Sequence, residues 1–251
     1  MDEQLDKHLD EHLILDEHLI DEGYIKYRCE WLEEDAIAAE SVAQITPYRD
    51  ALHHLNFIGE YPNGIGFGNI SQRLTHIPVQ SSSFSAYPLG FIITGTQTGH
   101  LPTLKPADYA LVSDFDPAQN RLTCQGLRKA SSESLTHGVI YATHPAIGAI
   151  IHVHHPQLWQ QILYRVPTTE ASIPYGTPEM AAETQRLFRD RSLLQSKIFA
   201  MAGHEDGVFT FGDSLQTAYR ILINWARMTG IMTEPASSVA LQLPYQLASC
   251  Q

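Results

Sequence analysis

The feature that most narrows the possible folds is an alternation of two hydrophobic periods along the chain. Short apolar runs of strand length occur at Phe91-Ile92-Ile93, Tyr109-Ala110-Leu111-Val112, Ala149-Ile150-Ile151-His152-Val153-His154 and Phe199-Ala200-Met201-Ala202. Between them lie longer segments of helical pattern at residues 36–54, 133–141, 179–189 and 214–228. A strand presents one face at every second residue and a helix a stripe at roughly every 3.6 residues, and each must bury its apolar side against something. Interleaved in this way, they predict an α/β or α+β class with helices packed over a sheet. A chain of 251 residues can bury such a core within one domain, so no internal boundary is required. Proline and glycine enforce a turn at Tyr61-Pro62-Asn63-Gly64.

The start of the chain is different. Residues 1–40 hold half of the 28 acidic residues and contain the near-repeat Asp10-Glu11-His12-Leu13-Ile14 and Asp16-Glu17-His18-Leu19-Ile20. Residues 1–35 therefore read as a separate acidic N-terminal arm, helical by the spacing of Leu5, Leu9 and Leu13, with residues 36–251 as a single domain. His8 and His12 stand one helical turn apart, but with no third ligand they read as part of a solvated polar face.

A formal net charge of -12 argues against a general nucleic-acid binder and against an anionic membrane surface as partner. No apolar run reaches the ~20 residues needed to span a bilayer, and Met1-Asp2-Glu3 lacks the basic start of a signal peptide, so the expected location is cytoplasmic. Cys29, Cys124 and Cys250 are an odd number without metal spacing and read as free thiols.

The chemistry-bearing residues cluster in the second half of the alternating region. On a strand His152 and His154 point to one face and can present two imidazoles to one ion, while His155 points away. As an isolated pair they fit a satisfied polar patch better than a metal site. Upstream, Ser131-Ser132-Glu133 opens a helix, where hydroxyls and backbone N–H groups suit an anion; the same triplet is also an ordinary helix start. Gly66-Phe67-Gly68-Asn69-Ile70-Ser71 and Thr94-Gly95-Thr96-Gln97-Thr98-Gly99 offer close backbone approach with hydroxyl and amide donors, or simply tight turns.

Taken in order, Gly68-Asn69-x-Ser71, Thr94-Gly95, Ser131-Ser132-Glu133, His152-x-His154 and a later glycine-flanked histidine resemble the class II aldolase/adducin family over residues 45–227. The resemblance implies an α/β/α layered fold with a central mixed, largely antiparallel sheet flanked by helices. It implies that Asn69, Thr94, Gly95, Ser131 and Ser132 cradle a substrate phosphate, and that His152 and His154 bind a divalent metal ion, zinc first, then manganese or another such ion. Glu133 would be a metal ligand at rest and the proton carrier when substrate displaces it. The family also implies a homotetramer acting on a small sugar phosphate.

Two departures from the family pattern matter. The usual third histidine stands directly before a glycine, where this chain reads Gly203-His204-Glu205-Asp206-Gly207. His204 is expected as the third ligand, because a strand end keeps its facing at a two-residue offset, with Asp206 as competitor. The opposing acid or base does not align; Glu170 and Tyr175 are the candidates. The expected activity is a metal-dependent aldolase working through a metal-stabilised enediolate, with no lysine in the signature loops for an imine route. Aldol cleavage ranks ahead of epimerisation because Glu133 is glutamate where the family's 4-epimerases carry aspartate. A dehydratase or a non-catalytic adducin-like binding module would also fit the family pattern.

Overall fold

A computed structural model describes residues 24–35, 37–74 and 90–232 of the chain. Ten strands and seven α-helices follow one another among these residues: β1 (Arg28–Leu32), α1 (Ala39–Val42), α2 (Ile45–His54), β2 (Gly59–Glu60), β3 (Gly66–Phe67), β4 (Asn69–Arg73), β5 (Phe91–Thr94), β6 (Tyr109–Asp116), β7 (Arg121–Gln125), α3 (Ser134–Thr143), β8 (Ala149–His154), α4 (Pro156–Ile162), α5 (Pro178–Leu187), α6 (Arg191–Ser196), β9 (Ile198–Ala200), β10 (Gly207–Gly212) and α7 (Leu215–Met228). Eight strands form one sheet in the order β1-β7-β6-β5-β4-β8-β10-β9, and β2 pairs with β3 as a separate hairpin. Every neighbour in the sheet is antiparallel except β1, which runs parallel to β7. The class is α/β with a large mixed sheet flanked by helices, one of the two classes that the alternation of periods left open and the one that the family resemblance implied.

Side-chain alternation along the strands divides the apolar residues into two cores. Ile92, Ile151, Val153 and Val208 pack with Leu52 of α2, Leu158 of α4 and Leu222 of α7 on one face. Phe91, Ile93, Ile150, Phe209 and Phe211 pack with Leu135 and Ile140 of α3 and Met180 of α5 on the other. Each of these fully buried side chains contributes about 1.5–3 kcal/mol from removal of apolar surface from water. His152 and His154 alternate with Ile151 and Val153, so the sheet's own pleat delivers them to the α3 face.

Short caps set the helix starts. Ser214, Thr177 and Asp190 accept backbone N–H groups at the first turns of α7, α5 and α6. The helix expected over residues 133–141 begins at Ser134, so Ser131 and Ser132 precede its first turn rather than lie in it. Residues 36–54 divide into α1 and α2.

The expected boundary at residue 35 needs correcting. Arg28–Leu32 is not arm but sheet, paired along its whole length with β7. Next to it the Tyr27 hydroxyl donates to the carbonyls of Ala130 and Ser131, at 2.9 and 3.2 Å. The run Arg28-Cys29-Glu30-Trp31-Leu32 alternates in burial, a pattern masked in the sequence by the surrounding acidic residues. Leu5, Leu9, Leu13, His8, His12 and Cys250 lie outside the described residues. Cys29 and Cys124 are free thiols on neighbouring strands, with Sγ atoms 3.6 Å apart. Among the described residues no helix is long and apolar enough to cross a membrane.

Candidate metal centre and anion cradle

The central strands bring the site together by register. Asn69 of β4 lies opposite His152 of β8, and Gly207 of β10 opposite His154. His152, His154 and His204 are all buried, and their ligand atoms lie within 4.8 Å of one another. The Nε2 atoms of His152 and His154 stand 3.0 Å apart. Two nitrogens sharing a tetrahedral divalent ion at about 2.0–2.1 Å would be separated by only slightly more than that.

The outer nitrogens are held in turn. His152 Nδ1 faces the carbonyl of Val208 at 3.3 Å, to which it can only donate, leaving its Nε2 with a lone pair. His154 Nδ1 meets the Tyr61 hydroxyl at 3.0 Å. Burial pushes His154 down to about 3 and holds His152 and His204 well below their ordinary value of 6.5, with neighbouring imidazoles adding to the effect on both. All three rings are therefore neutral at pH 7, the form in which imidazole binds a metal.

His204 sits in the turn between β9 and β10 rather than on a strand, so its arrival at the site is not a matter of strand facing. Its ring packs at 4.6 Å from that of His154 and 4.3 Å from that of Tyr175. Gly207 leaves the room: a Cβ there would fall 2.9 Å from both Cδ2 and the carbonyl oxygen of His204. Asp206, the competing ligand, holds a left-handed backbone with φ 64° and its carbonyl accepts from His155 N–H. Its carboxyl is not part of the three-ligand group.

Beside the histidines lies a cavity lined by Asn69, Gly95, Ser131, Ser132 and Glu133 together with residues 66–68 and 96–99. The strand-like contact between Gly95 and Ala130, with Thr96 N–H donating to Lys129 O at 2.9 Å, sets the glycine loop beside the two serines. Asn69 Oδ1 is buried with no hydrogen-bond partner among the described residues, a state that costs about 1–3 kcal/mol unless a ligand satisfies the amide. Glu133 occupies the cap position of α3, where Thr136 Oγ1 donates to its Oε2 at 2.7 Å. It lines the cavity but is not one of the three clustered ligands.

Three expected site residues are not among those lining the cavity. Thr94 turns its hydroxyl to the Ile70 N–H at 3.3 Å inside the sheet and is not among the lining residues. Glu170 is exposed, and its backbone N–H donates to Glu183 rather than to any site residue. Tyr175 is buried with its ring on His204 and under the Lys26 ammonium, 3.9 Å from the ring centre, and does not line the cavity. Conversely, Tyr61 and Thr136 have roles that no spacing in the sequence announced, since their partners are 93 and 3 residues away and in different patterns.

The sequence model of the Class II Aldolase and Adducin N-terminal domain matches residues 63–232. A sugar-phosphate aldolase from Thermotoga maritima has a similar structure, with a TM-score of 0.53 and 21% identity over 78% of this chain and 97% of its own. An L-fuculose 1-phosphate aldolase follows at 0.53 and 20%, covering 82% and 95%. An aldolase II superfamily protein from Pseudomonas syringae stands at 0.52 and 12%, covering 86% and 88%. At these identities the structural likeness speaks for the fold.

Proposed function

This chain belongs to the class II aldolase and adducin family, and from that premise we propose that it is a divalent-metal-dependent lyase that breaks or makes a carbon–carbon bond beside a carbonyl in a small phosphorylated ketose. The observation that carries the reading is the buried set His152, His154 and His204 opening onto the same cavity as Ser131, Ser132 and Glu133. Three neutral imidazoles fit a zinc ion by donor chemistry and by spacing. Bound there, such an ion supplies Lewis acidity to a carbonyl and its neighbouring hydroxyl.

The chain's own groups have distinct tasks. Val208 O and Tyr61 Oη fix the two strand histidines so that both Nε2 atoms converge. Ser131, Ser132, Asn69 and the Gly95 loop bind the phosphate through hydroxyl, amide and backbone donors at the start of α3, without a lysine or arginine among the described lining residues. Glu133, aimed by Thr136, carries the proton between the substrate hydroxyl and the carbon released. The Tyr175 ring packs on His204 and supports that ligand. As the family resemblance implies, we expect a homotetramer, for which exposed Leu32 and Leu127 beside the β1–β7 edge supply apolar contact surface.

The test is metal analysis of untagged protein purified without added metal, followed by a screen of ketose phosphates for released aldehyde. Stoichiometric metal with aldehyde release is the expected result. Protein without metal that remains inert would point to the binding-module role. Epimerised or dehydrated product would keep the site and change the outcome of the same proton transfer.

A further inference from the structure

Among the described residues the cavity lining contains no lysine or arginine, yet one guanidinium is buried directly behind it. Arg49 of α2 is fully buried and donates to the carbonyls of Leu101, Thr98 at 2.7 Å and Gly99 at 3.4 Å. Thr98 and Gly99 are themselves lining residues. The other side of the loop is pressed against the β2–β3 hairpin: a Cβ on Gly99 would stand 1.8 Å from Gly59 O, and Gly66 N–H donates to Gln97 Oε1 at 3.0 Å. The loop is thus clamped between a hairpin and a cation.

We infer that Arg49 is a positioning residue for the anionic end of the substrate, acting through the Thr98–Gly99 peptide rather than by touching the ligand. The inference rests on the reading of this cavity as a phosphate site. In a trans peptide the C=O and N–H point in opposite directions, so the Thr98 carbonyl, held by Arg49 and by Leu101 N–H at 3.2 Å, sends the Gly99 N–H to the other side of the peptide, where Gly66 of the cavity lining approaches its nitrogen. The guanidinium fork is suited to gathering several carbonyls at once, which an ammonium does less well. Its charge is shared with Asp50, 3.6 Å away, while Arg128, beside Gly95, is engaged by Asp108 at 2.9 Å. What reaches the cavity is therefore oriented backbone dipoles, a binding mode for a phosphoryl group that agrees with a chain of net charge -12.

The experiment titrates inorganic phosphate by calorimetry into wild type, Arg49→Met, Arg49→Lys and, as a marker of the cradle, Ser132→Ala, with metal content and melting temperature recorded for each. Expected are phosphate binding to wild type, its loss in Ser132→Ala, a weakening of about tenfold in Arg49→Met and about threefold in Arg49→Lys, and unchanged metal content. A folded Arg49→Met that binds phosphate as wild type does would overturn the inference while leaving the phosphate site standing. If Arg49→Met fails to fold, wild-type phosphate affinity in Arg49→Lys overturns it equally. Absence of phosphate binding in wild type, or binding indifferent to Ser132→Ala, would overturn the phosphate site itself and the inference with it.

Discussion

Two neutral imidazoles with Nε2 atoms 3.0 Å apart can coexist in two ways. His152 has no choice, because its Nδ1 must donate to Val208 O. His154 can donate its own Nε2–H to His152 while accepting from Tyr61, or it can shift that proton to Nδ1, donate to Tyr61, and free both Nε2 lone pairs for a cation. Tyr61→Phe should then bind metal about tenfold more weakly, since the ring loses one of its hydrogen-bond partners and keeps the backbone of Glu205; an unchanged affinity would show that Tyr61 does not tune the ligand. His152→Ala and His204→Ala should each lose most bound metal, whereas Asp206→Asn should keep it, and the reverse order in metal analysis would restore Asp206 as the ligand. Glu133→Gln should retain metal but lose about 100-fold or more in turnover, the usual size of a general-base contribution. Near-normal turnover would remove Glu133 from that role. Gly207→Ala, which would drive a methyl group into His204, should lose metal without the active-site chemistry being touched directly.

At the level of elements, β1 is the part whose importance the acidic composition around it hides. It closes the sheet on β7, and the adjoining Tyr27 holds the carbonyls of Ala130 and Ser131 just ahead of the anion cradle, while Lys26 covers the Tyr175 ring. Removal of residues 1–23 should leave metal and phosphate binding at wild-type level. Removal of residues 1–34 should lower the melting temperature and weaken phosphate binding, because β7 loses its neighbour and Ser131 its tether. Equal behaviour of the two truncations in calorimetry and thermal melting would show that β1 plays no part in the site. The helices act in a comparable way: α3 sets Glu133 at its N-terminal cap, and His137 within it joins Ser71 Oγ at 2.6 Å, tying the helix to β4.

For the molecule as a whole, these buried histidines make stability depend on pH in a definite direction. Burial lowers His137 and His154 to about 3 and moves His152 and His204 the same way, against an ordinary value of 6.5. Between those limits the unfolded chain binds more protons than the folded one. Metal-free protein should therefore keep its full stability above pH 6.5 and lose it progressively as pH falls toward about 3. Urea midpoints measured across that window should fall with acid, and His137→Gln, which can retain the bond to Ser71, should flatten the decline. A midpoint independent of pH would contradict the burial of these rings. At the scale of assembly, sedimentation should give a tetramer, and a stable active monomer would end that expectation.

The sequence by itself determined that helices pack over a sheet, because strand and helix periods are local properties, while the layered arrangement followed from the family resemblance. It also determined the pair His152 and His154, whose common face follows from two-residue spacing on a strand, and the nearness of Ser131, Ser132 and Glu133 to one another. Only the tertiary structure could decide the rest. His204 and Asp206 differ by two residues in a turn, and only the folded turn, with its left-handed backbone at Asp206 and the space beside Gly207, shows that His204 is the one clustered with His152 and His154. Thr94 carries the right side chain, but strand pairing turns its hydroxyl into the sheet. Tyr61 and Arg49 act across 93 and about 50 residues of chain, where no local pattern can record which partner a hydroxyl or a guanidinium will meet.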